Sequence, residues 1–336
     1  MKSAILKDGK IQITEKDKPE LTHDKKGAVV KITGCGLCGS DIVKINHATK
    51  ENENKIVLGH EITGIIEDIN VNIIGNGEKI PFKKGDKIAM GHHYPCFKCK
   101  MCLLGHHSMC ETFKSSNIYP AGFGEYIYIN ENHLKYTVFK KPDNLTEEEF
   151  SFLEPLSCCI RAIRRACVDF EHDNSIFNAL VIGLGSIGLL TAQALKAFKV
   201  NTFGFDINYE RQNFAKENFN IDFNENLKYD LIFMTSGSYK ALYDVYKFAQ
   251  KGAVIIVFSS ISNDKDGYLN NEIYYNELTV MGSYSPSPND LLMSKKLLET
   301  GLVKTKNFST NYNLYEIEKA IKDTKEGKIL KGYIKL

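Results

Sequence analysis

An apolar run, Ala179-Leu180-Val181-Ile182, leads into Gly183-Leu184-Gly185-Ser186-Ile187-Gly188, then a helix-forming stretch through Lys199, then Thr202-Phe203-Gly204-Phe205 and an acid, Asp206. Strand, glycine loop, helix, strand and acid in that order admit few folds. A lone Gly-x-Gly-x-x-Gly is weak evidence, because glycines punctuate many turns. The strand before it, the helix after it and an acid eighteen residues past the last glycine are the context in which it binds a dinucleotide. Gly183 permits the tight turn, and Gly185 lets the backbone approach a pyrophosphate at the helix N-terminus, where Ser186 and Ile187 begin the helix. Gly188 lets helix and strand pack closely. Asp206 would accept hydrogen bonds from the adenosine ribose and repel a 2′-phosphate, which favours NAD over NADP. The plainer reading of Asp206 is a helix N-cap before Ile207.

From about residue 150 the chain alternates helical and apolar strand segments: a helix over Phe150–Val168, strands at Leu231–Met234 and Ala253–Phe258, helices around Asn208–Phe219 and Tyr239–Gln250, and a last strand in Glu277–Gly282. Such alternation implies an α/β fold, a Rossmann-type doubly wound parallel sheet covered on both faces. The part before it is β-rich. Ala4-Ile5-Leu6 and Ile11-Gln12-Ile13 flank Asp8-Gly9, a hairpin signature, and short strands follow at Ala28–Ile32, Ile62–Ile69, Lys87–Met90 and Tyr126–Ile129. From Pro288 the pattern is two helices and a final strand, too small to stand alone, so it completes the first domain. The expected domains are 1–150 with 289–336, and 151–288. Residues 51–54 and 263–266 read as polar loops.

Nine cysteines shape the rest of the reading. Cys96, Cys99, Cys102 and Cys110 fall within fifteen residues, four soft ligands suited to a closed tetrahedral zinc site that folds a loop and does no chemistry. An iron-sulfur cluster is the rival, but its bacterial run places the fourth cysteine after three residues and before proline; here seven residues intervene and Glu111 follows. A second group mixes ligands: Cys38 within Gly34-Cys35-Gly36-Leu37-Cys38-Gly39-Ser40-Asp41, then Gly59-His60-Glu61, and Glu154. Mixed ligands with one open position characterise catalytic zinc. Each of these residues alone has a bland explanation, and only their combination points to a metal. Cys35, Cys158, Cys159 and Cys167 read as small buried residues.

The length suffices for two domains with cores of their own. A formal charge of +2 and the lack of any basic stripe argue against a nucleic-acid partner. The N-terminus turns polar too soon for a signal peptide, and no apolar run approaches bilayer thickness, so no membrane role and a cytoplasmic location with reduced thiols are expected.

With both metal groups and the glycine loop in this order, together with Gly122-Phe123-Gly124-Glu125-Tyr126 and Glu154-Pro155-Leu156-Ser157, the chain resembles the zinc-dependent medium-chain alcohol and polyol dehydrogenases over its whole length. Glu154-Pro155-Leu156-Ser157 is most similar to the sorbitol dehydrogenase and polyol-phosphate dehydrogenase branch. The resemblance implies a GroES-like catalytic zinc domain and hydride transfer between a secondary alcohol and NAD. It implies catalytic zinc on Cys38 and His60, with Glu154 binding the metal or its water and Glu61 ligating or swinging in and out, and Ser40 passing the proton outward. It also implies pairing of the Glu277–Gly282 edge with a second copy, hence a homodimer or homotetramer.

Three residues depart from the pattern. Val43 stands where many relatives finish a proton relay with histidine, and His47, four further on, is the substitute or an ordinary loop residue. Arg161 stands where relatives often have histidine. His92, at a pocket-lining position often apolar, suits a polyhydroxylated substrate. Lys44, Arg161, Arg164 and Arg165 could hold a substrate phosphate, although such a helix is more often a solvated face. The alternatives are a threonine-type or simple alcohol dehydrogenase of the same fold, and a non-catalytic NAD-binding zinc protein of structural or regulatory role.

Overall fold

The computed structural model describes residues 1–53, 56–259 and 270–336; the loop expected at 263–266 lies outside them. The chain forms two compact units, one of Met1–Pro155, Pro286–Glu299 and Thr305–Leu336, the other of Leu156–Ser285 and Thr300–Lys304.

The first unit begins with the hairpin Lys2–Lys7 and Lys10–Glu15. Asp8 and Gly9 both take the left-handed backbone, at φ 51° and 71°, that a tight two-residue turn needs. The unit is organised by the strand Gly27–Leu37, whose near-continuous apolar run pairs antiparallel with Glu61–Ile69, Tyr126–Asn130 and Lys331–Lys335. Lys87–Met90 and Val138–Lys140 extend the sheet on one side and Ser309–Asn313 on the other. Val30, Ile32, Leu37, Ile62, Ile66, Ile127 and Ile334 fill the core, each fully buried side chain of this size contributing about 1.5–3 kcal/mol. Ser309–Asn313, with the sequence Ser-Thr-Asn-Tyr-Asn, was not expected as a strand. It is a polar edge held by its parallel ladder to Lys331–Lys335 rather than by its own hydrophobicity.

The second unit is a five-stranded parallel sheet in the order Thr279–Gly282, Ala249–Val257, Tyr229–Met234, Asn178–Ile182, Asn201–Phe205. Its central strands are apolar at successive positions, as a sheet buried on both faces demands. The helix expected over 239–250 stops earlier: Tyr239–Asp244 is helical, a tight turn follows at Val245–Phe248, and the strand has begun by Ala249, which pairs with Tyr229. Backbone pairing in the sheet overrides helical propensity there. Cys167 was expected to be buried, yet it is exposed: it follows the helix Leu153–Arg165 in a left-handed turn at φ 62°. Cys35 and Cys159 are buried and Cys158 is half-buried. Thr279–Gly282 is an edge strand, paired on one side only among the described residues. No helix among them is long and apolar enough to cross a membrane.

Candidate active site

Cys38 follows the strand Gly27–Leu37 directly and caps the helix Gly39–Asn46 with extended backbone. Across the ladder, Gly36 faces Glu61, so pairing alone brings Glu61 and the preceding His60 to the Cys38 end of the strand. The ligand atoms of Cys38, His60 and Glu61 all lie within 4.8 Å of one another, with His60 and Glu61 buried. A β-carbon on residue 36 would come 2.0 Å from Glu61 Oε2, so glycine is required where the carboxylate lies over the neighbouring backbone.

Asp41, not singled out by the sequence, fastens this arrangement. Its Oδ2 accepts the Cys38 N–H and its Oδ1 the Gly59 N–H, each at 3.1 Å. One buried carboxylate thus ties the backbone at both ligand segments. Burial opposes its ionisation, but the His60 imidazole, Lys44 and the Gly59 N–H outweigh that and hold the carboxyl below its ordinary range. His60 Nδ1 lies 3.4 Å from Asp41 Oδ1, an ion-pair separation too long for a made hydrogen bond. Burial lowers the basicity of His60, yet Asp41 and Cys38 more than reverse this and raise its pKa well above the usual value. A carboxylate on the Nδ1 side is the arrangement that orients an imidazole to offer Nε2 to a metal.

Lys331, also missed, donates Nζ to Glu61 Oε1 at 2.5 Å. Glu61 Oε2 and His60 Nδ1 are buried without hydrogen-bond partners. An orphaned carboxylate oxygen beside a thiol and an imidazole is what a zinc ion would satisfy, so the residues fit the metal. Glu154 is buried but stands outside this three-residue group; its Oε1 is 3.9 Å from His92 Nδ1, and the His92 ring centroid is 4.8 Å from that of His60. Burial, with nearby His60 and His93, keeps His92 well below the ordinary histidine range and hence neutral. Ser40 is exposed in the first turn of Gly39–Asn46, and Val43 and His47 are exposed on the same segment.

The four-cysteine loop passes a sharper test. Cys96 Sγ and Cys99 Sγ lie 3.9 and 3.6 Å from Cys102 Sγ. Tetrahedral zinc with bonds of about 2.3 Å sets its sulfurs about 3.8 Å apart, whereas a disulfide would bring them to about 2.05 Å. The N–H of Cys96 donates to Cys110 Sγ and that of Cys99 to Cys96 Sγ. Burial raises the Cys110 pKa, but the N–H groups of Cys96 and Phe113 overcome it and bring the thiol to about 6. The cluster fits structural zinc.

In the second unit, Gly183 turns at φ 98°, and Gly185 caps the helix Ser186–Ala197. A β-carbon at Gly188 would meet the Gly183 carbonyl at 1.8 Å, but one at Gly185 would meet nothing nearer than Arg211 at 3.9 Å. Gly188 therefore serves packing, and Gly185 leaves an open face over the half-buried Ser186 and Ile187. Asp206 is not a helix cap: Asn208 caps Tyr209–Phe219. The Asp206 carboxylate instead accepts the N–H groups of Leu184 and Asn208, at 2.6 and 2.8 Å, with Arg211 Nη1 at 3.9 Å. Arg161 is half-buried on the helix Leu153–Arg165 and belongs to this unit.

The family model for the alcohol dehydrogenase GroES-like domain matches residues 24–143. D-xylulose reductase A of Aspergillus oryzae is 25% identical over 358 residues, spanning 97% of this chain and 93% of that protein. The galactitol 1-phosphate 5-dehydrogenase of Escherichia coli is 32% identical over 219 residues, 64% of this chain and 58% of that one. The chain is thus similar to alcohol and polyol dehydrogenases along nearly its whole length. The fold is shared with a solved structure across its length: the crystal structure of galactitol-1-phosphate dehydrogenase from Escherichia coli matches at TM-score 0.82 with 24% identity, covering 100% of both chains.

Proposed function

We propose that the chain transfers a hydride between a secondary alcohol carbon of a polyol or sugar alcohol and NAD. The observation that carries this reading is the convergence of half-buried Cys38 with buried His60 and Glu61, with one carboxylate oxygen left unpartnered. Bound zinc supplies the Lewis acidity that makes an alcohol hydroxyl acidic near neutral pH, and NAD supplies the hydride acceptor. Cys38, His60 and Glu61 would hold the metal, with Asp41 orienting His60 and Glu154 serving as the nearby carboxylate for the metal's water. His92 would receive a further substrate hydroxyl, and the exposed Ser40 would pass the proton to solvent. Gly183, Gly185, Ser186 and Ile187 would cradle the pyrophosphate, with Gly188 allowing the close packing that shapes the loop, and Asp206 would select NAD.

The relatives named a xylulose reductase and a galactitol 1-phosphate dehydrogenase support a polyol-type substrate, phosphorylated or not. Lys44 donates one of its three N–H groups to the Val57 carbonyl at 3.2 Å and keeps the others for a substrate phosphate. NADH formation across polyols, their phosphates, threonine and primary alcohols, with and without added zinc, tests the assignment. Fastest turnover on a polyol or its phosphate, lost on zinc removal, is expected; preference for threonine, or zinc-independent turnover, overturns it. We further propose a homodimer or homotetramer through the edge strand Thr279–Gly282, working in the cytoplasm where its nine thiols stay reduced. A monomeric mass by light scattering would refute the first of these, and recovery in an extracytoplasmic fraction the second.

A further inference from the structure

Lys331 belongs to none of the motifs in the sequence, yet it is a buried cation set against Glu61 in the first unit. Gly332, the next residue, faces Leu37 across the ladder, which sets Lys331 beside the Leu37–Cys38 end of its neighbour. Its side chain is 4% exposed and Glu61 is fully buried. Besides Glu61, the anionic groups acting on it are Cys38 and Glu154. Burying an ammonium group is unfavourable by several kcal/mol unless anions compensate it. The Cys38 thiolate and the Glu61 carboxylate match a zinc ion's two positive charges and a neutral imidazole adds none, so the nearby Glu154 carboxylate brings a third negative charge that the ion does not balance. Lys331 offsets that third charge, as Lys44 acts on the Asp41 carboxylate.

We propose that Lys331 is a positioning residue of the metal site, holding one oxygen of Glu61, presenting the other to the metal, and balancing the negative charge that Glu154 adds beside the ligands. This rests on the zinc reading of Cys38, His60 and Glu61 given above. Released from Lys331, the Glu61 carboxylate would be free to turn both oxygens to the ion, occupying the position a substrate needs and weakening the ion as a Lewis acid.

The test uses the full chain loaded with cobalt(II), which reports its coordination through its visible bands, alongside metal content and kcat. The unaltered chain should bind two ions; if it binds one, at the four cysteines only, the zinc reading and this proposal fall together. In Lys331→Met the cobalt bands should change and kcat fall about 10- to 100-fold with a smaller change in KM, while Lys331→Arg restores both. Two bound ions with unaltered bands and kcat in Lys331→Met would overturn the role of Lys331 alone. Should Lys331→Met not fold, the double variant Glu61→Gln/Lys331→Met decides. A folded, metal-binding double variant supports the charge-balancing role, and an unfolded one overturns it, since the lysine would then matter regardless of Glu61.

Discussion

Replacing Asp41 by asparagine exchanges one carboxylate oxygen for an amide nitrogen and tests how the metal site is held together. The carboxylate accepts two backbone N–H groups, from Cys38 and Gly59, and approaches His60 Nδ1 at 3.4 Å. An asparagine has one acceptor oxygen, so one of those bonds is lost and its amide N–H₂ must face a donor. Hydrogen bonds to a charged group contribute about 1.5–3 kcal/mol each, and 1.4 kcal/mol is about tenfold in an equilibrium constant. Zinc affinity at Cys38, His60 and Glu61 should therefore fall about 10- to 100-fold, the range found for other outer-shell partners. Titration against a competing chelator, with zinc counted in the protein fraction, measures it. The four-cysteine loop shares no partner with Asp41 and should keep its ion. An affinity within about threefold of the unaltered chain, or parallel loss of zinc from both sites, would refute the reasoning.

Burial holds His133 at about 4, below the ordinary 6.5, with Nε2 donating to the carbonyls of Ser116 and His92. The unfolded chain thus takes up this proton first, so the stability His133 provides is complete above about pH 6.5 and is lost as pH falls towards 4, about 2 kcal/mol of it by pH 5. Urea unfolding at pH 7.5 and pH 5 should show that difference shrinking by the same amount in His133→Asn; an unchanged difference would count against it. In the glycine loop, Gly185→Ala should leave the melting temperature unaltered while weakening NADH binding about tenfold by fluorescence titration. Gly188→Ala, whose new carbon meets a backbone carbonyl at 1.8 Å, should lower both. Equal NADH affinity in Gly185→Ala and the unaltered chain would remove the loop from the cofactor site.

What could be read in the residue order was what local chemistry writes there. The Gly183–Gly188 loop needs its strand, turn and helix in sequence, and the four cysteines sit within one loop whose sulfur spacing follows from zinc–thiolate geometry. Asp41 was within reach, since an acid three residues after a helix-capping residue commonly accepts that residue's N–H; its second bond, to Gly59, belongs to tertiary structure. Lys331 was not legible at all. It lies 270 residues from Glu61 in the chain, and only the pairing of Lys331–Lys335 with Gly27–Leu37 joins them. The polar strand Ser309–Asn313 escaped for a related reason, because its ladder partner and not its composition makes it a strand.

The first unit is stitched from three separated stretches of chain, whereas all but five residues of the second come from the single run Leu156–Ser285. A ribosome finishing this protein releases every strand of the nucleotide-binding sheet before it makes Lys331. During that interval Cys38, His60 and Glu61 already exist, but the strand that carries the buried cation does not. Domains fold as units while synthesis proceeds, so the nucleotide-binding unit can be complete while the metal ligands still lack their neutralising partner.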